Sequence, residues 1–201
     1  MSGGPYILGL TGSIGMGKST TAEFFRVAGV PVWDADASVH RLYENGGAAV
    51  QAIAALTPSA IKNNAVDRVA LRQAILIDKG LLKRIESAVH PLVSADRQQF
   101  LETNFDKSLV VCDIPLLFET GADAWLDGVL VVTADKNVQE QRVMDREGMT
   151  REVFDTILAK QTPDSEKRQR ADFLIDTGLG LDHAQAEVLS LIERLKGEAD
   201  A

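Results

Sequence analysis

The stretch of sequence that decides the fold is a glycine-rich octet ending in lysine and serine, Gly12-Ser13-Ile14-Gly15-Met16-Gly17-Lys18-Ser19. Its glycines allow the backbone to curl so that successive N–H groups point inward at phosphate oxygens. Lys18 is expected to bridge the β- and γ-phosphates of a nucleotide, and the Ser19 hydroxyl is expected to ligate Mg²⁺. With Thr20 directly behind it, the octet predicts a nucleotide-binding P-loop.

The neighbours of the octet support this prediction, because a P-loop lies between a strand and a helix. The apolar run Tyr6–Leu10 predicts a first buried strand, and Lys18–Val27 predicts a helix that Gly29 closes. The positive end of that helix dipole favours a bound phosphate. The structural alternative, a glycine turn with a solvated lysine, does not require this placement.

Five apolar runs predict the strands of one parallel sheet covered by helices: Tyr6–Leu10, Val30–Trp33, Leu109–Asp113, Val129–Val132 and Phe173–Ile175. Residues 37–107 contain no convincing buried strand, and their apolar residues recur at three- and four-residue steps, which predicts a helical insertion. Asp182 and Gln185 resemble a capping box that opens the last helix. The fold class is therefore α/β, with a P-loop NTPase core.

The bulk composition is ordinary for one soluble globular core, with 201 residues, 45% of them hydrophobic and 25% charged. A net charge of −8 argues against a general nucleic-acid binder, which would carry a basic face. The single cysteine, Cys112, lies in an apolar run and is expected to be a buried core residue. With neither a membrane span nor an export signal visible, we expect a cytoplasmic protein.

A phosphate-binding loop alone does not distinguish kinases from GTPase switches. A GTPase would carry an Asn-Lys-x-Asp motif that reads guanine, and the sequence contains none. Asp145-Arg146-Glu147-Gly148 matches the Asp-x-x-Gly of such switches, but it lies in a charged helical stretch and does not follow a buried strand. The residues therefore favour a small-molecule kinase.

Acidic residues follow two predicted strands, at the sheet edge where open α/β sheets bind ligands. Asp34 and Asp36 can accept a proton from an attacking hydroxyl or help to hold Mg²⁺, whereas the alternative is an N-cap for a helix starting near Ala37. Asp113 ends the third strand, where an acid can hold a magnesium-bound water; the alternative is a turn residue. Glu119 either faces substrate or pairs with a nearby base.

Taken together, the motifs resemble the dephospho-coenzyme A kinase family over almost the whole chain. The matching stretches are Leu10–Thr20, Asp34-Ala35-Asp36, His90-Pro91-Leu92-Val93, Asp113-Ile114-Pro115-Leu116-Leu117-Phe118-Glu119, Gln141-Arg142, Asp145-Arg146, Gln161 and Ala171–Asp176. A shared P-loop is weak evidence for one kinase. The Asp-Ala-Asp, His-Pro and Pro-Leu-Leu-Phe-Glu elements, in this order and at these distances, are far more specific.

The resemblance implies an ATP- and Mg²⁺-dependent kinase that phosphorylates the ribose 3′-hydroxyl of dephospho-coenzyme A. It also implies three regions: a P-loop core (1–36, 108–137 and 171–201), a helical domain for the coenzyme precursor (37–107) and a mobile lid (138–170). The expected partner is this small-molecule substrate, with no nucleic acid or membrane involved. The expected assembly is a monomer or a weak homo-oligomer.

The resemblance further implies roles for residues outside the P-loop. Asp36 matches the proposed base for the ribose hydroxyl, and Asp34 would assist substrate or metal placement. Arg142 and Arg146 match lid arginines that close on ATP, and their spacing of four would place them on one helical face; a solvated face is the alternative. The substrate-binding residues implied in the same way are His90, Pro115, Leu116 and Glu119.

The sequence departs from the family pattern at two positions. Thr177 stands where the family usually has asparagine, and a hydroxyl is shorter than an amide that can both donate and accept at an adenine edge. Ser13 stands where glycine is frequent, a mild change because the backbone supplies the phosphate contacts. The rival interpretations are another kinase of this architecture, acting on a nucleoside monophosphate or a small alcohol, and a nucleotide-binding switch without efficient catalysis.

Overall fold

The structure is a computed structural model that describes residues 4–199. The first three and last two residues of the predicted core region lie outside the described residues. The chain divides into two compact units. Residues 34–103 form one unit, and the described residues up to Trp33 and from Asn104 onward form the other.

The strands and helices alternate along most of the chain, as expected for an α/β protein. The strands are β1 (Tyr6–Thr11), β2 (Val32–Asp34), β3 (Ile61–Lys62), β4 (Ala65–Val66), β5 (Leu109–Asp113), β6 (Gly128–Thr133) and β7 (Phe173–Asp176). The helices are α1 (Lys18–Val27), α2 (Ala35–Tyr43), α3 (Ala49–Leu56), α4 (Arg68–Ile77), α5 (Leu81–Thr103), α6 (Lys136–Met144), α7 (Arg151–Leu158), α8 (Asp164–Gln169) and α9 (Leu181–Ala199). No helix in the described chain combines the length and the apolar character needed to cross a bilayer.

The predicted five-stranded parallel sheet is confirmed, with the strand order β2-β5-β1-β6-β7. In its register Gly9 of β1 lies opposite Cys112 of β5 and Val129 of β6. Every residue of β5 and β6 is buried, as in parallel sheets that are covered on both faces. Cys112 is 0% exposed, which confirms that it is a core residue.

The helical character predicted for residues 37–107 is confirmed, and the helices α2–α5 pack around a separate apolar core. Large side chains of that core are Leu42, Val50, Ile53, Leu71, Ile85 and Val89. The sequence pattern missed a short antiparallel hairpin formed by β3 and β4. Two-residue strands carry no periodicity, and the only available signal was the turn pair Asn63-Asn64, which adopts φ 52° and 57°.

The predicted capping box at the last helix is wrong. The helix α9 begins at Leu181, so that Asp182 lies inside its first turn, and the Ala184 N–H donates to the Gly180 carbonyl at 3.1 Å. Gly180 adopts φ 109°, a conformation that glycine reaches without strain, and the helix starts directly after it. The carboxylate of Asp182 therefore lies near the positive end of the helix dipole.

The hairpin turn can be tested at Asn63, an exposed residue in the left-handed region. Replacing Asn63 with alanine should lower the free energy of unfolding by about 1 kcal/mol, because a Cβ in this region is strained. Asn63→Gly is the matched control and should be neutral or stabilising, since glycine adopts positive φ freely. Urea denaturation of both variants measures the difference, and equal stabilities would contradict this account of the turn.

Candidate functional site

The glycine-rich octet forms one tight loop between β1 and α1. Gly15 and Gly17 adopt φ 80° and 87°, which favours glycine at both positions. Space demands it as well, because a Cβ on Gly15 would lie 2.5 Å from Val143 Cγ2 and one on Gly17 would lie 2.9 Å from Thr177 Oγ1. The Met16 N–H closes the loop on the Ser13 carbonyl at 3.1 Å.

The side chains of the loop divide into a buried part and an exposed part. Ser13 and Met16 are buried, whereas Ser19 and Thr20 in the first turn of α1 are exposed. The backbone amides at the start of α1 are also those without a partner inside the helix. The exposed face of the loop therefore offers N–H groups and the Ser19 hydroxyl together.

A short ion pair joins the P-loop lysine to the acid at the end of β5. Lys18 Nζ lies 2.6 Å from Asp113 Oδ1, and the Asp113 side chain is only 3% exposed. The two meet because Asp113 lies beside Leu10 in the register of β1 and β5. The structure thus brings together the lysine predicted to bridge phosphates and the acid predicted to serve the metal.

Two oxygen donors of this region suit Mg²⁺, the Ser19 hydroxyl and the Asp113 carboxylate. Magnesium prefers hard oxygen ligands, and in kinase sites one or two protein oxygens are enough because phosphate oxygens and waters complete its octahedron. Within residues 4–199 no cluster of three or more His, Cys, Asp or Glu residues could hold a metal ion. The chemistry of the Ser19 and Asp113 donors therefore fits a magnesium ion that arrives with a nucleotide.

The segment after β5 runs beside the end of β1. The Thr11 hydroxyl donates to the Pro115 carbonyl at 3.2 Å, and the Ile114 N–H donates to the Leu10 carbonyl at 2.9 Å. The next residue, Leu116, is 41% exposed. Pro115, one of the predicted substrate-binding residues, is therefore held at the same end of the sheet as the P-loop, and a second one, Leu116, follows it directly.

Glu119 is paired, which was one of the two alternatives that the sequence left open. Its Oε1 accepts a hydrogen bond from the Thr162 N–H at 2.6 Å and lies 3.2 Å from Lys167 Nζ. Lys167 is fully buried, and its ammonium group forms an ion pair with Glu119. A lysine is almost never fully buried unless it is paired. Glu119 and Lys167 therefore fasten the turn before α8 to the segment after β5.

The environment of Glu119 lowers the pKa of its carboxyl group. Burial by itself would raise the pKa, but the backbone hydrogen bonds, first that from Thr162, and the charge of Lys167 together outweigh it. The charged carboxylate is therefore the form that the fold stabilises.

The two candidate lid arginines lie in different environments. Arg142 donates from Nη1 to Thr177 Oγ1 at 2.9 Å and from Nη2 to the Thr177 carbonyl at 2.8 Å. Arg146 is exposed. The predicted shared helical face is wrong, because α6 ends at Met144 and Arg146 begins a turn that Gly148 closes with φ 74°.

Two glutamine side chains grip the Ile14 peptide groups of the P-loop. Gln139 Nε2 donates to the Ile14 carbonyl at 2.8 Å, and the Ile14 N–H donates to Gln161 Oε1 at 3.1 Å. In the sequence, Gln161 is one of the positions that match the family pattern. Gln139 gives no signal there, because a glutamine on a polar helix is ordinary. Its burial, at 5% exposure, is a property of the folded chain alone.

In the other compact unit, Asp34 and Asp36 differ in what surrounds them. Asp34 Oδ1 accepts the Ala37 N–H at 2.9 Å and caps α2, so the capping alternative is confirmed for this residue. Asp36 lies in the first turn of the same helix with its side chain exposed. His90 is exposed on α5, which continues through Pro91.

Comparisons with known proteins agree with this geometry. The family described as dephospho-CoA kinase matches residues 6–182. Dephospho-CoA kinase from Cereibacter sphaeroides is 54% identical over 98% of this chain and 99% of its own length. Dephospho-CoA kinase from Mesorhizobium japonicum is 53% identical over 96% of this chain and 98% of its own length. A crystal structure from Thermus thermophilus superposes with a TM-score of 0.83 at 36% identity, covering 95% of this chain and 97% of that one.

The ion pair between Glu119 and Lys167 can be tested by double substitution. Glu119→Gln should lower the free energy of unfolding by roughly 3 kcal/mol, because it leaves the charge of Lys167 buried without a counter-ion. Adding Lys167→Met removes that charge, so the double variant should be more stable than Glu119→Gln alone. Urea denaturation measures both, and losses that simply add would argue against the pairing.

The pH dependence and an exposed control complete this test. The stabilisation by Glu119 should be fully present above about pH 4.5, its unfolded-state pKa, and should be lost as the pH falls through the lower folded-state pKa. The gap between the wild type and Glu119→Gln should therefore close on acidification. Glu166→Gln removes an exposed partner of Arg170 and should change stability by less than about 0.5 kcal/mol.

Proposed function

Because the chain belongs to the dephospho-CoA kinase family, it is a phosphotransferase that completes coenzyme A from dephospho-CoA, and we propose that ATP on the P-loop supplies the phosphoryl group. The observation that carries this proposal is the pairing of Lys18 with the buried Asp113 at 2.6 Å. This pair supports the proposal because it holds a positive charge and a buried carboxylate at the glycine-rich loop. A positive charge and an acidic group at a glycine-rich loop suit a nucleoside triphosphate with its magnesium ion.

The residues of the P-loop supply placement and charge compensation, which are what phosphoryl transfer requires of a protein. Lys18 and the N-terminus of α1 would neutralise negative charge that grows on the transferred group. Ser19 and Asp113 would hold Mg²⁺, which when bound offsets the charge of the phosphate oxygens. The octet amides other than those of Ile14 and Met16, which already donate within the protein, would fix the phosphate chain for transfer to an acceptor hydroxyl.

We propose Asp36 as the group that takes the proton from the ribose 3′-hydroxyl. Asp34 uses one carboxylate oxygen to cap α2, whereas the Asp36 carboxylate is exposed. A positioned general base contributes about 10²- to 10⁴-fold in rate. Asp34 would then assist in placing the substrate or the metal.

The remaining roles follow the same proposal. Residues 37–107 would bind the coenzyme precursor, with a contact from His90, and residues 138–170 would close over the nucleotide. Arg146 is exposed and would be the arginine that approaches ATP, whereas Arg142 is engaged by Thr177. Pro115 and Leu116 would line the substrate side, with Glu119 holding the turn before α8. We propose a cytoplasmic location for the enzyme, which cell fractionation tests.

The activity can be tested with one panel of acceptors. The purified protein is incubated with MgATP and, separately, dephospho-CoA, nucleoside monophosphates and shikimate, and phosphorus NMR locates any new phosphate. We expect a new phosphate only on the ribose 3′-position of dephospho-CoA. A comparable rate with another acceptor would support a different kinase, and ATP use with no acceptor would support a nucleotide switch.

The base assignment is tested by Asp36→Asn, which should lower kcat by about 10²- to 10⁴-fold while MgADP binding survives. The asparagine keeps the size of the side chain and removes only its ability to take a proton. Lys18→Ala is the contrasting variant and should weaken nucleotide binding and turnover together. Near-normal turnover of Asp36→Asn would remove Asp36 from the mechanism.

A further inference from the structure

Two polar side chains hold the P-loop from outside, and the proposed chemistry uses neither. Gln139 lies on α6 and is 5% exposed, and its Nε2 donates to the Ile14 carbonyl at 2.8 Å. Thr177 follows β7 and is 6% exposed, and its hydroxyl donates to the Met16 carbonyl at 2.9 Å. Each side chain therefore fixes one carbonyl of the loop.

Fixing a carbonyl also fixes the amide that follows it. In a trans peptide the C=O of one residue and the N–H of the next point to opposite sides, and the described chain contains no cis peptide bond. The peptide after Ile14 therefore directs the Gly15 N–H away from α6, and the peptide after Met16 directs the Gly17 N–H away from the turn that follows β7. Within residues 4–199 neither amide donates to another group of the protein.

Arg142 determines how the Thr177 hydroxyl is oriented. A guanidinium only donates hydrogen bonds, and its contact at 2.9 Å makes the Thr177 oxygen an acceptor on that side. The hydroxyl has a single proton, and its two carbonyl neighbours are Met16 at 2.9 Å and Thr133 at 3.2 Å. The shorter contact is with Met16, so the proton is directed to the P-loop.

We propose that Gln139 and Thr177 are positioning residues that aim the Gly15 and Gly17 amides at the phosphate chain and thereby set nucleotide affinity. Phosphate cradles bind through convergent backbone N–H groups, and a loop whose amides are already aimed loses less conformational freedom on binding. This inference rests on the proposed function only in that the P-loop takes a nucleotide. It assigns Thr177 to the phosphates rather than to the adenine base.

The first test compares Thr177→Val, which removes the hydroxyl at nearly constant shape, with Thr177→Ser, which keeps it. Isothermal titration calorimetry should show MgADP binding about three- to tenfold weaker in Thr177→Val and within about twofold of the wild type in Thr177→Ser. Gln139→Met, which removes the donor to Ile14, should weaken binding in the same direction. Thr156→Val is the matched control, because that hydroxyl bonds within its own helix.

The second test separates the phosphate chain from the base by using inorganic tripolyphosphate and adenosine as probes. Competition against a fluorescent ADP analogue should show tripolyphosphate weakened by the same factor as MgADP in Thr177→Val, with adenosine unchanged. The reverse pattern, adenosine weakened and tripolyphosphate unchanged, would overturn the inference, because Thr177 would then act on the base.

Thermal denaturation of every variant distinguishes positioning from a purely structural role. A lower melting temperature with unchanged affinity for MgADP and tripolyphosphate would overturn the inference while leaving the proposed function intact. If the wild-type protein bound neither MgADP nor tripolyphosphate, the assignment of the P-loop to a nucleotide would be wrong, and this inference would be wrong with it. Weakened phosphate binding that serine restores at position 177 supports it.

Discussion

The constraint on which the rest of the structure depends is the inward curl of the loop between β1 and α1. Turning amides toward a phosphate turns neighbouring carbonyls outward, where buried acceptors need donors. Gln139 donates to the Ile14 carbonyl and Thr177 donates to the Met16 carbonyl. The elements that carry these donors, α6 and the turn after β7, therefore have to lie against the loop. The bare Cα of Gly15 lets α6 approach closely enough.

Two ion pairs lie at opposite ends of the segment from Asp113 to Glu119. One is at the P-loop, and the other holds the surrounding structure together. At the start of this segment, Asp113 holds the charge of Lys18 at the nucleotide-binding loop. Six residues later, Glu119 pairs with the buried Lys167 and fixes the turn that carries Gln161. The first lysine retains an exposed path and the second is enclosed, so that only Lys18 is available to a ligand.

The two acids of the Asp-Ala-Asp element also differ in role, because one caps a helix and the other does not. Asp34 satisfies the Ala37 amide at the start of α2, and that requirement follows from helix geometry alone. Asp36, the second residue of the helix, does not cap it and is exposed. An acid that caps the helix and an acid with an exposed side chain therefore lie two residues apart in one short motif.

The sequence by itself determined the five strands, the helical insertion and the P-loop, because apolar periodicity and glycine spacing express local backbone requirements. It also indicated the family, through motifs such as Asp34-Ala35-Asp36. It could not reveal the hairpin at Asn63, the burial of Gln139 or the partners of Thr177. Those depend on which side chains meet across the fold, 35 residues apart for Arg142 and Thr177 and 161 apart for Met16 and Thr177, and no local pattern records such meetings. Only the tertiary structure decided them, since a buried polar group takes whichever partner the packing brings within hydrogen-bond distance.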